Sequence, residues 1–236
     1  MQGQDDVFMP VAHSHRFIFI HVPKTAGRSV LNAFRNAGIS FELDGLNLWN
    51  LLEGHYRKAD LLRRVRAIYP VNSLANFPQG HLPATVLREL LPIEIWKSYF
   101  KFAFVRNPWD LVLSTYQFLR THIGDNEHIS ALEPDMTQLM QRCNFERYVR
   151  LYPMIRSDMS ALFTDDDGRD MVDFVGRFEC IADDFQSVCR KVGVTVPLPH
   201  DNRSEHAHYR GYYTEETKAI VAQHFARDIA RFGYAF

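Results

Sequence analysis

The stretch Phe17–Phe34, FIFIHVPKTAGRSVLNAF, decides the fold. It opens as an unbroken run of aromatic and β-branched residues, the pattern of a strand covered on both faces. A proline, a lysine, hydroxyls and one glycine interrupt it, and apolar residues then return at helical spacing, predicting a helix over Ser29 to Ala37. A loop between a buried strand and a helix aims its backbone N–H groups at one point, and the helix dipole adds positive potential there. That point suits an anion. Gly27 permits close backbone approach, Thr25 and Ser29 carry hydroxyls, and Lys24 supplies a compact charge. The same residues would also make a plain turn with a capping serine and a solvated lysine. The P-loop pattern G-x-x-x-x-G-K-[ST] does not match, because Lys24 comes three residues before the glycine instead of after it.

Two more units repeat the form. YFKFAFV (99–105) precedes the helical pattern WDLVLSTYQFLR (109–120), and VDFVGRFECI (172–181) precedes a helix expected from near Asp183 to the stop at Gly193. Strand, loop and helix in repetition predict an α/β, P-loop-like three-layer fold: a central, mainly parallel sheet flanked by helices. Further helices are expected at Pro83–Leu91 and Thr214–Phe232, the second opening on a threonine cap followed by Glu215 and Glu216. The segment Thr121 to Arg169 is less regular and reads as helix and loop over the carboxyl edge of the sheet. No repeat, low-complexity tract or linker interrupts the chain, so residues 1–236 are expected to form a single domain.

With 27 basic and 28 acidic residues and a net charge of -1, the chain lacks the global positive field of a nucleic-acid binder. Any anion site must be local. Cys143, Cys180 and Cys189 are odd in number and lack zinc-ribbon spacing, which points to a reducing compartment. No window approaches the roughly 18 apolar residues that span a bilayer, so a soluble, cytoplasmic protein without membrane insertion is expected.

A second anion grip sits in FKFAFVRNPWDLVLSTYQFLR. Arg106 ends the strand, Asn107-Pro108 makes the turn, and Ser114 lies about one turn into a helix expected to be capped near Asp110. Arg106 and Ser114 could hold one anion together; alternatively Arg106 pairs with a helix carboxylate and Ser114 faces solvent. Taken as a pair, the two segments carry a family resemblance. HVPKTAGRS resembles the 5′-phosphosulfate loop of sulfotransferases that use 3′-phosphoadenosine 5′-phosphosulfate (PAPS). RNPWDLVLS resembles their 3′-phosphate segment R-N-P-x-D-R-x-x-S, with Leu111 where an arginine is usual. DGRDMVDFVGRFECIADDF and YYTEETKAIVAQHFARDIARFGY look like later blocks of the carbohydrate branch that includes heparan and chondroitin enzymes.

The resemblance implies PAPS as co-substrate without a metal, and a hydroxyl-bearing, saccharide-like acceptor. It places Lys24, Thr25, Ala26, Gly27, Arg28 and Ser29 at the 5′ end of the nucleotide, with Lys24 also catalytic. Arg106 and Ser114 fall on the 3′-phosphate, over which Arg210 and Gly211 in EHAHYRGYY would close.

Transfer of a sulfuryl group to a hydroxyl also needs a base. Of eleven histidines, His55 and His81 follow glycines, and only His81 immediately precedes a proline-started helix, whose positive end would keep an imidazole neutral. By resemblance His81 holds the place of the family's base, while His21 is assigned to the strand. Phe145, Tyr148 and Tyr152 have the spacing of a helix core face, although they could stack on sugar rings. TDDDGRD reads as a solvated turn, since a calcium-loop alignment on Gly168 puts Phe163 at the first ligand position. The rival functions are a P-loop-type kinase or NTPase and a non-catalytic nucleotide-binding protein.

Overall fold

The computed structural model describes residues 11–41, 52, 55–70, 79–121, 138–139, 142–199 and 208–236. Glu53, Gly54, His200, His206 and much of the irregular span after Thr121 lie outside these, along with the expectations attached to them. The strands are β1 (Val11–Ala12), β2 (Phe17–Ile20), β3 (Phe100–Val105) and β4 (Phe174–Arg177), forming one sheet in that order. The pairs β2–β3 and β3–β4 are parallel, and β1 is a short antiparallel edge on β2. Around the sheet stand α1 (Gly27–Asn36), α2 (Lys58–Ile68), α3 (Ala84–Leu90), α4 (Ile93–Ser98), α5 (Pro108–Thr121), α6 (Phe145–Ile155), α7 (Ile181–Val192), α8 (Glu215–His224) and α9 (Ala226–Phe232).

Alternation along the strands builds both faces at once. Phe17, Phe19, Phe102 and Phe104 point into a core with Val30 and Phe34 of α1 and Phe185 and Val188 of α7. Ile18, Ile20, Ala103 and Val105 point the other way, against Leu61, Val86, Val112 and Tyr148 from α2, α3, α5 and α6. This is the three-layer arrangement expected, and each buried aromatic contributes about 1.5–3 kcal/mol. Lys101, buried within β3, is satisfied by the carbonyls of Tyr99 (2.7 Å) and Trp96 (3.2 Å) and by Asp173 at 3.1 Å. Phe145, Tyr148 and Tyr152 belong to the core.

Several boundaries differ from the sequence reading, each for a local reason. The third run forms a strand only over Phe174–Arg177. Phe178–Cys180 is a 3-10 turn, and α7 starts at Ile181, so Asp183 and Asp184 occupy its first turn, where the dipole favours acids. Helix α5 begins at Pro108, and the capping role expected near Asp110 falls to Asn107, whose Oδ1 accepts from Trp109 N at 3.1 Å. Thr214–Phe232 is not one helix. Thr214 caps α8 and shares a capping box with Thr217, but the helix breaks at Phe225. The break lets Phe225 and Asp228 both turn inward to full burial. Asp228 then accepts from Met159 N at 2.6 Å and Ser160 N at 3.1 Å. TDDDGRD is the turn expected, closed by the Thr164–Asp170 bridge with Asp165 Oδ1 accepting from Asp167 N and Arg169 N.

The three parallel strands end at one edge of the sheet, and each chain crossing there continues into a segment that carries polar or aromatic groups. The β2–α1 connection is the tightest. Lys24 (φ 68) and Ala26 (φ 66) are both left-handed without being glycine, at a cost of roughly 1–2 kcal/mol each. Thr25 is held between them by a 2.7 Å bond from its hydroxyl to Val22 O. Gly27 is required for a different reason than the sequence suggested: a Cβ there would sit 1.7 Å from His21 Nε2. Gly27→Ala should therefore destabilise the protein by about 1–3 kcal/mol in urea unfolding. Adding His21→Ala should recover most of that loss by clearing the space. If the second substitution recovers nothing, some other contact fixes Gly27.

Candidate active site

Arg106 leaves the end of β3 and organises the edge. Its Nε donates to Asp110 Oδ2 at 2.8 Å, and its Nη1 donates both to Lys24 O at 3.0 Å and to Ser114 Oγ at 3.1 Å. The guanidinium is stacked on Phe178, with Cζ 3.9 Å from the ring centroid. Arg106 pairs with the helix carboxylate Asp110, as the alternative reading had it, but Ser114 is buried and accepts from Arg106 Nη1 instead of facing solvent. The bond to Lys24 O ties the end of β3 to the β2–α1 loop.

Lys24 Nζ lies 3.9 Å from the Phe118 ring centroid. Its pKa is drawn down to about 7, first by burial and then by the positive fields of Arg106, Arg156 and Arg28. Ser29, in the first turn of α1, is buried beside this loop, and that turn contains no acidic side chain to occupy its N–H groups. Thr25 differs from expectation: its hydroxyl is committed to Val22 O, so it shapes the loop, and its backbone N–H is what it can offer an anion. Arg28 is exposed.

His81 ends the short turn Gln79–His81 and reaches the same loop. Its Nδ1 lies 3.2 Å from His21 O, and because a carbonyl only accepts, Nδ1 is the donor of that bond. The rings of His21 and His81 are 4.3 Å apart, and His21 also stacks on Phe19 at 5.3 Å. His21 thus stands just past β2, between the start of α1 and His81. Tyr69 Oη donates to His81 O at 3.4 Å from the other side.

Arg210 and Gly211 are set apart from this cluster. They lie in a 3-10 turn, Tyr209–Tyr212, which packs on α5 through the bond from Tyr213 Oη to Trp109 O at 2.7 Å. Arg210 is exposed, and its Nη2 donates to Phe236 O at 2.8 Å. A Cβ on Gly211 would meet nothing within 4 Å.

Sequence reasoning missed the supports. Glu179, after β4, accepts from Asn107 N and from Tyr234 Oη, and Asn107 Nδ2 donates to Ala235 O at 2.9 Å. Met159 Sδ accepts from Arg106 N at 3.5 Å, which brings the segment 156–160 over the carboxyl edge. The aromatic and acid directly after a strand, Phe178-Glu179, were the available signal. Met159 and Arg156 had none. Among the described residues, no group of three His, Cys, Asp or Glu is placed to hold a metal ion, and no helix is long and apolar enough to cross a membrane.

Fold and site together define an α/β protein in which a strand–helix loop and a strand-end arginine meet at the carboxyl edge of the sheet. The profile of the Sulfotransferase family matches residues 9–235, and the chain belongs to that family, which makes it a transferase. An uncharacterized protein of Archaeoglobus fulgidus is 26% identical over 121 residues, covering 50% of this chain and 87% of that protein. The crystal structure of a sulfotransferase from Alicyclobacillus acidocaldarius aligns with 92% of this chain and 96% of its own at 16% identity, with a TM-score of 0.37.

The depressed Lys24 has a consequence for stability. Between about 7 and its ordinary 10.5, the unfolded chain binds a proton at this position that the folded protein does not, so folding is favoured as pH rises through that window. Below about 7 both states carry the charge and the full penalty stands. Lys24→Met should therefore raise the melting temperature clearly at pH 6 and less at pH 9.5. A difference that is constant with pH would show that Lys24 titrates normally.

Proposed function

We propose that the protein is a PAPS-dependent sulfotransferase that delivers the sulfuryl group to a hydroxyl of a carbohydrate acceptor. One observation carries the reading: Arg106 Nη1 bonds at once to Lys24 O and Ser114 Oγ, so the two phosphate-like segments form a single site. The donor set fits the nucleotide: a helix N-terminus without acids, a lysine surrounded by cations, and an arginine–serine pair one strand away. Lys24 and the N–H groups of Thr25 to Ser29 would hold the 5′ end, while Arg106 and Ser114 hold the 3′-phosphate. Arg210, exposed beside α5, would leave Phe236 O to close over that phosphate with Gly211.

PAPS supplies an activated sulfuryl group and departs as adenosine 3′,5′-bisphosphate. His81 Nε2 takes the acceptor's hydroxyl proton as the new O–S bond forms. Lys24 faces the negative charge that develops on the 5′-phosphate oxygen as the old S–O bond breaks, in a partly buried setting where that attraction is strong. The carbohydrate assignment rests on the resemblance of the later segments to that branch, and the free thiols of Cys143, Cys180 and Cys189 fit a reducing, cytoplasmic setting.

Calorimetry in EDTA should show adenosine 3′,5′-bisphosphate binding. Ser114→Ala should weaken it by about 5- to 10-fold, near 1 kcal/mol, without affecting adenosine 5′-monophosphate. Binding that vanishes in EDTA and favours ATP with Mg²⁺ would support the kinase instead.

His81→Ala should keep the bisphosphate affinity and lose transfer of labelled sulfate by about 10²- to 10⁴-fold, together with the acidic limb of the pH–rate profile. Near-normal turnover with that limb intact would remove His81 as the base. A wild-type protein that binds the bisphosphate and transfers to no oligosaccharide, phenol, lipid or peptide would be the non-catalytic binder.

A further inference from the structure

Two cations of the edge, Lys24 Nζ and Arg106 Cζ, each lie 3.9 Å from the centroid of an aromatic ring, and their surroundings differ. Arg106, on Phe178, is also paired with Asp110. Lys24, on Phe118, forms no ion pair among the described residues, and burial together with the positive fields of Arg106, Arg156 and Arg28 works against its charge. What faces the ammonium is the ring.

Helix α5 explains how the two meet. Phe118 follows Ser114 by four residues, so both stand on one face of the helix, about 6 Å apart along its axis. Arg106 Nη1 donates both to Ser114 Oγ and to Lys24 O, which brings the lysine's main chain to the turn of Ser114. Its side chain then reaches the half-buried ring one turn further on.

A carboxylate and a ring face hold an ammonium differently. A carboxylate in this place would take the N–H groups and stand as a fixed anion against any incoming phosphate. The face of a ring attracts the charge as a whole, and the N–H groups that point away from it can still donate to oxygens. The contact therefore restrains the lysine without satisfying it.

We propose that Phe118 is a positioning residue whose ring holds the Lys24 ammonium where the 5′-phosphate of the nucleotide arrives, and keeps that contact when the nucleotide is bound. This rests on the sulfotransferase reading for what the ammonium meets. It adds a residue that acts on the leaving oxygen through Lys24 and touches no reacting atom itself.

The test replaces Phe118 with mono-, di- and trifluorophenylalanine, which keep the shape of the ring while removing the negative potential of its face, and adds Phe118→Leu. Adenosine 3′,5′-bisphosphate and adenosine 3′-monophosphate, which differ by the 5′-phosphate, are titrated into each protein. The advantage of the bisphosphate should fall with every fluorine, by about 3- to 30-fold in the trifluoro protein and in Phe118→Leu, while the affinity for the monophosphate holds. Packing of the lysine stem on an apolar surface would survive fluorination, so an advantage that is the same across the series would overturn the proposal. An advantage that grows with fluorine would overturn it too, by showing that the ring competes with the phosphate for the ammonium. In the unliganded proteins, NMR titration of Lys24 should place its pKa further below about 7 with each fluorine, because a weaker ring face no longer offsets burial and the arginine fields. A titration that does not move would remove the ring contact. If the wild-type protein binds neither nucleotide, the transfer reading falls by itself, and the Lys24 titration still decides whether the ring holds the ammonium.

Discussion

The guanidinium of Arg106 is the contact on which the site depends. It lies on the ring of Phe178, just after β4, one nitrogen is fixed by Asp110 of α5, and another reaches back to the main chain of the β2–α1 loop. A planar group with five donors can do all of this while keeping its charge. Lysine could not, since its ammonium offers no fork and no flat face. The three parallel strands are thus joined at their carboxyl ends by one side chain as well as by the sheet ladder. That arrangement also explains why the loop can keep left-handed conformations at Lys24 and Ala26: the surrounding bonds over-determine them.

Charge in this edge is deliberately one-sided. Asp110 neutralises part of Arg106, while the charges of Arg106, Arg156 and Arg28 all disfavour the Lys24 ammonium. Burial and these positive fields together make the folded protein disfavour a charged Lys24. His81 is placed differently. Its tautomer is set by a main-chain carbonyl, and its ring is braced by His21, so its orientation does not depend on the cations.

The strands, and the strand–loop–helix form of the two segments after β2 and β3, were legible because their signals are local. Runs such as Phe17–Ile20 and Phe100–Val105 are apolar at nearly every position only if both faces are buried. Boundaries were less legible where tertiary packing decides. Nothing in the sequence between Thr214 and Phe232 breaks a helix, and the interruption at Phe225 arises because Asp228 must reach Met159 N and Ser160 N. The two-residue β1 is too short to show a period. Gly27 was recognised as necessary, but its neighbour is the His21 ring, a contact that only the fold creates. Arg156 was invisible for the same reason: its partners come from α2, α6 and the loop after β2, and no spacing connects them.

The bonds that lock the site join segments far apart along the chain: Asn107 to Ala235 spans 128 positions, Arg106 to Lys24 spans 82, and Asn107 to Glu179 spans 72. Closing loops of that size costs entropy before any bond repays it, and contacts of large sequence separation slow folding. The parallel sheet closes loops of the same size, Phe17 to Phe100 across 83 positions and Phe102 to Phe174 across 72, so pairing the strands brings the partners of the edge together, and only the Asn107–Ala235 bond spans a longer one.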